Sequence, residues 1–457
     1  KRSKYESKFV YIYLKDEKRY KTNMIKSLLI IPAICMTVAL SQNRDYPDFE
    51  IVVNNNPYPE DIIIHTMSGG DHFMAIIDTA LSIKWYINSG SRGMGFEVSD
   101  DKLTYFHKDL QQWRVLNQFM QETDTLRASD GLSADYHDFR LLSDGSYFIL
   151  SYDSITVDMS QFVDNGNPQA TIRGVPVIEE FNAEHELVME WNGWDNLNIA
   201  DYTHLNLTAP EFTWMHVNSI EIDYDNNILI SDRRSDDVIK FNRINGEVIW
   251  YLGGPLSDFT ILNDPFGGFS KQHDARRLDN GNILLFDNEY DVSISAIIEF
   301  QPPILSNGLY SLDANEPFEP NEYTWINHSS NYYSLSHSGA FRMPNGNTLI
   351  TIFGVPPLYE INIIEIDENG VLQWEYLGSF ITFRASKYPY TYFNSMVQIG
   401  DINEDGLLNI LDIVILVNCV LQIGYGYECY DELGDTNLDG VINILDVVIL
   451  INIILNP

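Results

Sequence analysis

HDARRLDNGNILLFDN, residues 273–288, reads as a strand, a tight polar turn and a second strand. Asn280-Gly281 supplies the positive φ that a tight hairpin needs, and the apolar run Ile283-Leu284-Leu285-Phe286 follows it. The phrase recurs as HDFRLLSDGSYFIL from His137, HVNSIEIDYDNNILI from His216 and HSGAFRMPNGNTLI from His337. Each copy opens on histidine, turns at Asp144-Gly145, Asn226-Asn227 or Asn345-Gly346, and continues as an apolar strand. A second phrase alternates with the first, a polar turn running into tryptophan. It ends at Trp85, Trp191, Trp250 and Trp374, with a degenerate copy, NEYTW, at Trp325.

Spacings of 106, 59, 75 and 49 residues between these tryptophans suit units of about fifty residues, with one copy lacking its Trp. Between Asp45 and Gln398 no run of 10–15 residues shows helical periodicity. Repeated units of several short antiparallel strands predict a mainly β fold, a six-bladed β-propeller, with a stacked β-sandwich array as the alternative.

The chain has 457 residues, 45% hydrophobic and 13% aromatic, enough for one large domain and a small one. Its formal charge is -37, and the first 41 residues, with nine Lys/Arg against three Asp/Glu, mask a still more acidic remainder. Such a surface repels nucleic acid and anionic membranes, so neither is expected as a partner. From Met24 the run MIKSLLIIPAICMTVALSQ has a charged start at Lys26, an apolar stretch and the small-x-small site Ala39-Leu40-Ser41. This pattern predicts a signal peptide starting near Met24, within a segment 1–41, and a secreted product with no membrane attachment after cleavage. The compartment is extracellular or cell-surface, with the periplasm and a membrane anchor as alternatives. Cleavage removes Cys35 and leaves Cys419 and Cys429, a plausible disulfide pair.

After Gln398 the composition changes, which places a β body at 42–398 and a small helical domain at 399–457. GDINEDGLLNILDIVILVNCVLQ is echoed 34 residues later by GDTNLDGVINILDVVILINIIL. Oxygen-bearing residues fall at loop positions 1, 3, 5, 9 and 12: Asp401, Asn403, Asp405, Asn409 and Asp412, then Asp435, Asn437, Asp439, Asn443 and Asp446. Gly406 and Gly440 permit the sharp turn, and Leu407 and Val441 offer backbone carbonyls at position 7. A hard cation wanting six to eight oxygens fits this spacing, so two Ca²⁺ ions are expected. Unlike an EF-hand, position 12 is Asp and no helix precedes the loop.

This duplicated variant resembles the type I dockerin module. The resemblance implies docking onto a cohesin-like partner. Positions 10 and 11, often small hydroxyl residues in that family, are here Ile410-Leu411 and Ile444-Leu445. A purely structural attachment tag is the alternative.

Four histidines at near-equivalent repeat positions should converge at one end of a propeller channel. Beyond residue 41 the chain has 13 Arg and 6 Lys, and Arg140, Arg233, Arg234, Arg276, Arg277 and Arg342 lie in or just after the histidine phrases. Forked cations in so acidic a protein point to an oxyanion ligand, although Asp236, Asp274 and Asp279 stand ready to pair with some of them.

The runs WMHVNSIEIDYDNNILISDRR, QHDARRLDNGNILLFDN and FRMPNGNTLITIFG, in that order, resemble the arylsulfate sulfotransferases, six-bladed propellers that work without PAPS. The resemblance implies transfer of a sulfuryl group from an aryl sulfate to a phenolic acceptor through a sulfohistidine. Carried over by motif, it makes His273 the nucleophile, His216 and Asn218 the His-x-Asn pair, His137 the earlier channel histidine and Arg234 the cation, with Arg233 its alternative. Arg234 and Asn218 would hold sulfate oxygens, and His216 or His137 would protonate the leaving phenol. Where many members have Ser-Arg after FDN, this chain has Ser295-Ala296; His337 sits one residue out of register and is secondary. Two rivals stand beside this reading. One is a non-catalytic propeller that binds a ligand or partner. The other is a polysaccharide-active enzyme using acids such as Asp138 and Asp274.

Overall fold

The computed structural model describes residues 46–457 except 100–101, 118–119, 265, 292, 303–317, 319–320, 354–360, 379–380, 389–398, 403–407, 422–430, 438–440 and 456–457. The expected signal segment therefore lies outside the described residues. Among the described residues no helix is long and apolar enough to cross a membrane.

Six antiparallel sheets form a six-bladed propeller. From the channel outward, blade two is Gly93–Ser99, Lys102–His107, Gln112–Leu116 and Glu122–Leu126. The innermost strands of blades three to six are Ala134–Leu141, Val217–Ile222, His273–Arg277 and Gly339–Arg342. Blade one takes its innermost strand, Ala385–Tyr388, from the far end of the body, paired on Asp61–Ser68. Blade six takes its outermost strand, Phe49–Asn54, from the near end, paired on Leu372–Gly378. Both ends of the body thus close the ring, in blades one and six, whereas blades two to five are each built from one continuous stretch of chain.

Each sequence phrase has a physical task. The histidine phrases are the first hairpins of blades three to six, with positive φ at Gly145, Asn226, Gly281 and Gly346 (85°, 63°, 93° and 89°). The tryptophans lie on the fourth strands and tie neighbouring blades. Trp191 Nε1 donates to the Gly246 carbonyl, Trp325 to that of Glu368 and Trp374 to that of Thr79, across the ring closure. The degenerate copy at Trp325 performs the same task, because the indole N–H and the ring's large apolar area are what the interface uses. Middle strands lie between two blades and are buried on both faces; Ile228–Asp232 and Asp237–Phe241 are buried throughout, polar residues included. Lys240, fully buried in one of them, is held by Asp223 and by Asp225 at 2.8 Å.

The C-terminal region contains the helices Ile410–Leu421 and Ile444–Leu455, packed through Leu416, Val447 and Leu450. Cys419 is disulfide-bonded. Cys429, its expected partner, lies outside the described residues.

Candidate active site in the propeller channel

Bulges in the innermost strands aim the site. In blade five, His273 pairs with Phe286 and Arg276 with Leu284, so Asp274 and Ala275 face one residue of the partner strand. Comparable shifts fall at Met94/Glu97 in blade two, opposite Ile149/Ser151 in blade three and at Val217/Ser219 in blade four. A bulge re-aims the side chains around it. Lys271, Asp274, His337 and Ser338 all adopt left-handed backbone (φ 57°, 60°, 58° and 76°), a strain of about 1–3 kcal/mol each that packing must hold in place.

The result is one cavity lined by His65, Phe96, Glu97, Trp113, Tyr136, His137, Asn218, His273, His337, Phe383 and Arg384. His216 joins it edge-on to His137, with ring centroids 4.6 Å apart. The fold therefore brings the four repeat histidines together.

His273 is 5% exposed. Its Nδ1 faces two acceptors, Asn288 Oδ1 at 2.7 Å and the Lys271 carbonyl at 3.0 Å. The Asn288 amide cannot be the other way round, because its Nδ2 donates to the carbonyls of Ser334 and His337. Nδ1 therefore carries the hydrogen and Nε2 the lone pair, which accepts the His337 backbone N–H at 3.2 Å. Burial drives the His273 pKa well below the usual 6.5, assisted by the charges of His337, Arg233 and His216 and opposed by Asn288, so the ring is neutral at physiological pH. Burial likewise lowers His216 and His337 to about 4 and His65 to about 3. The Nδ1 of His137 lies 2.5 Å from the Asp135 carboxylate.

Asn218, expected to hold a sulfate oxygen, has another task. Its Nδ2 donates to the Gln272 carbonyl and its Oδ1 accepts from the Asp274 N–H, clamping the backbone on both sides of His273. Of the two candidate cations, Arg233 acts on His216, His273 and His337, whereas the more exposed Arg234 acts on His216. Their side chains donate to the carbonyls of Leu335 and Thr213. Among the described residues neither has a carboxylate within ion-pair distance, and Arg233 Nε is buried without a partner.

The other four phrase arginines correct the expectation of one oxyanion cluster. Arg140, Arg276, Arg277 and Arg342 stand three to five residues beyond the histidines, roughly 10–17 Å along a strand at ~3.3 Å per residue. They line a second, larger cavity of about 940 Å³. Each pairs with a carboxylate: Arg140 with Glu221, Arg276 with Asp138 and Asp274, Arg277 with Asp223, Arg342 with Glu299.

Sequence reasoning missed Asn288, although it ends the quoted phrase; its role needs the fold to bring residues 334–337 beside it. It also missed Asp135, Glu97, His65, Phe383 and Arg384, which sit outside the phrases or at odd positions within them. Arg384 precedes the closing strand and floors the cavity, donating to the carbonyls of His137 and Asn218 and pairing with Asp138 and Asp274.

The arylsulfotransferase (ASST) family profile matches residues 42–314, more than half of the chain. The chain belongs to the arylsulfotransferase family. The match ends before His337 and Arg384, which line the same cavity as His273. The type I dockerin domain profile matches residues 399–455. Solved structures similar to this chain include a protein of unknown function from Bacteroides caccae, at 12% identity over 73% of this chain and 100% of that one, with a TM-score of 0.45. Others are virginiamycin B lyase from Staphylococcus aureus (8%, 72% and 87%, TM-score 0.35) and the Cps50 (Swd1) β-propeller domain from Myceliophteria thermophila (9%, 74% and 90%, TM-score 0.38). No curated protein matches the chain.

In the dockerin, a calcium-binding module, the position-12 carboxylates are fully buried and fold back over their own loops. Asp412 accepts from the N–H of Ile402 and Asn409, and Asp446 from those of Asn437 and Asn443. Asp401 and Asp435 at position 1 are also buried. Carboxylates buried at both ends of a loop suit a hard cation, which offsets their desolvation. Asn403, Asp405, Leu407 and Asp439 lie outside the described residues.

Proposed function

We propose that the chain is a secreted arylsulfotransferase that moves a sulfuryl group from an aryl sulfate to a phenol through a sulfated His273, without PAPS. The observation that carries this is the state of His273. It is a neutral imidazole with Nδ1 fixed by Asn288 and Lys271, and its Nε2 lone pair lies in a cavity with aromatic walls. Nε2 gives up the His337 N–H and attacks sulfur, forming an N–S bond as the S–O bond to the aryl group breaks. Charge on the sulfuryl oxygens is met by Arg233, which has no carboxylate to neutralise it, with Arg234 further out. Phe96, Trp113, Tyr136 and Phe383 offer faces to the aryl ring. A phenolic acceptor then reverses the first half-reaction, which makes the kinetics ping-pong.

His137 and His216 were the expected acids for the leaving phenol. His216 with a pKa lowered to about 4 is neutral and has little proton to give. His137 has Nδ1 turned to Asp135 and presents Nε2 to the cavity as an acceptor unless the ring is charged. The acids that a sugar-cleaving enzyme would use, Asp138 and Asp274, are committed to Arg276 and Arg384, which disfavours that rival.

In the dockerin we assign two Ca²⁺ ions, one per loop. Ile410-Leu411 and Ile444-Leu445, all more than half exposed, give both copies the same apolar face toward a cohesin-like partner.

The test is incubation of the purified protein with a chromogenic aryl sulfate, with and without a phenolic acceptor. Acceptor-dependent phenol release and a sulfated peptide containing His273 are expected. Absence of release with every donor and acceptor pair would leave a non-catalytic propeller.

A further inference from the structure

Blade two departs from the pattern of blades three to six. Its innermost strand carries no histidine; Met94 stands where blade five has His273, and Glu97 where it has Arg276, by their pairing with Phe106 and Thr104 against Phe286 and Leu284. The bulge at Gly95 (φ 55°) separates the two, and a Cβ there would stand 3.0 Å from the Trp113 ring. Glu97 lines both the histidine cavity and the larger one beyond it. Its Oε1 is buried and has no hydrogen-bond partner.

The groups facing Glu97 are Asp138 and Arg140 from blade three, Asp274 from blade five, and Arg384 and Tyr388 at the closing strand. Asp138 and Asp274 are the chain neighbours of His137 and His273, and both are close enough for their charges to act on Glu97. Arg384 is 4.0 Å away, an ion pair by distance alone. Yet its N–H groups are directed at the His137 and Asn218 carbonyls and at Asp138 and Asp274, so it gives Glu97 no hydrogen bond. Burial, then the negative charge of Asp138, prevails over the arginines and lifts the carboxyl to about 8. Glu97 thus favours its protonated form, and among the described residues its buried Oε1 has no hydrogen-bond partner.

Resting on the sulfuryl-transfer reading, we propose that Glu97 is a catalytic acid–base group for the phenol oxygen in both half-reactions. As the S–O bond breaks, its electron pair stays on the phenol oxygen and takes the Glu97 proton; the phenol leaves and Glu97 becomes a carboxylate. The acceptor phenol then returns a proton to Glu97 while its oxygen bonds to sulfur, and the N–S pair goes back to His273 Nε2. Donor and acceptor phenols use the same position, so one group serves both steps with no net change.

The experiment compares wild type, Glu97→Gln and His137→Gln in single-turnover phenol release from phenyl sulfate and from 4-nitrophenyl sulfate, whose phenol is acidic enough to leave unprotonated. For Glu97→Gln we expect a loss of about 10²–10⁴-fold with phenyl sulfate, little loss with the nitrophenyl ester, and disappearance of the basic limb of the rate profile near pH 8. Sulfation of His273 by the nitrophenyl ester in that variant verifies that its site is folded. Equal losses with both esters, or none, would overturn the assignment. The same leaving-group dependence in His137→Gln instead would move the role to His137. A wild type silent toward both esters sinks the transfer reading and the Glu97 assignment together.

Discussion

The two ends of the channel are built from the same strands and obey opposite electrostatic rules. At one end His137, His216, His273 and His337 stand together, with the pKa values of His216, His273 and His337 lowered, beside Arg233 and Arg234, whose side-chain partners among the described residues are carbonyls. At the other end every phrase arginine has a carboxylate, and Asp138, fully buried, takes Arg276 at 2.7 Å and Arg384 at 3.4 Å. A charge already neutralised holds blades together; a charge left without a counter-ion is available to a ligand. Role therefore follows pairing and not residue type.

The largest expected break falls at the histidine end. Replacing His273 with Ala removes the nucleophile, and loss of a covalent group of this kind lowers turnover by about 10⁴-fold or more. Stability should change little by comparison, and ligand binding should persist. Measured transfer within ten-fold of wild type would remove His273 from the chemistry.

That asymmetry also explains what was legible. The tryptophan spacings gave the blade number, and the hairpin phrases were readable because a tight turn restricts its residues so strongly that Asp-Gly, Asn-Asn and Asn-Gly recur in place. Trp325 was readable as a repeat because blade-to-blade packing demands a large ring with one N–H. The arginines were seen but grouped wrongly. Sequence proximity of His273 and Arg276 hides the strand rise that carries them to opposite ends. Glu97 and Arg384 were invisible for a different reason. Their significance is an absence in blade two and a closure strand from more than two hundred residues beyond His137, and only tertiary structure creates either.

The arginine end should break next, and in stability. Asp138→Ala leaves Arg276 and Arg384 with Asp274 as the one remaining carboxylate of the two they share, and the Ile220 N–H without its acceptor. Removing one partner of a buried charge network costs about 3–5 kcal/mol. Urea unfolding measures it; a loss under about 1 kcal/mol would show that water or side-chain movement compensates at this end.

Paired and unpaired arginines should then separate by assay. Arg233→Ala is expected to lower the transfer rate about 10²–10³-fold, the scale for removing one donor from a charge-stabilising site. Arg342→Ala, whose guanidinium is tied to Glu299 at 2.7 Å, should leave transfer within a few-fold and lower the unfolding midpoint. Equal kinetic losses in both would contradict the division between ends.

The smallest effect tests the division by pH. His337 is held at about 4 by burial first and by its cationic neighbours second, against 6.5 unfolded. Between pH 6.5 and 4 the unfolded chain therefore binds this proton and the folded chain does not, so this residue's contribution falls as pH falls. Glu97 and Asp287, each raised to about 8 chiefly by burial, act in the opposite sense from pH 8 downward. The wild-type curve alone mixes these signs; its difference from His337→Gln does not. That difference should shift by on the order of 1–3 kcal/mol in the variant's favour between pH 6.5 and 4. At the arginine end, burial opposes ionisation of Asp223, but Lys240 and Arg277 outweigh it and lower its pKa, so its stabilising contribution is lost only below about pH 4. A difference that stays flat down to pH 4 and changes only below it would mean that His337 titrates like the carboxylates. The two ends of the channel would then not be electrostatically distinct.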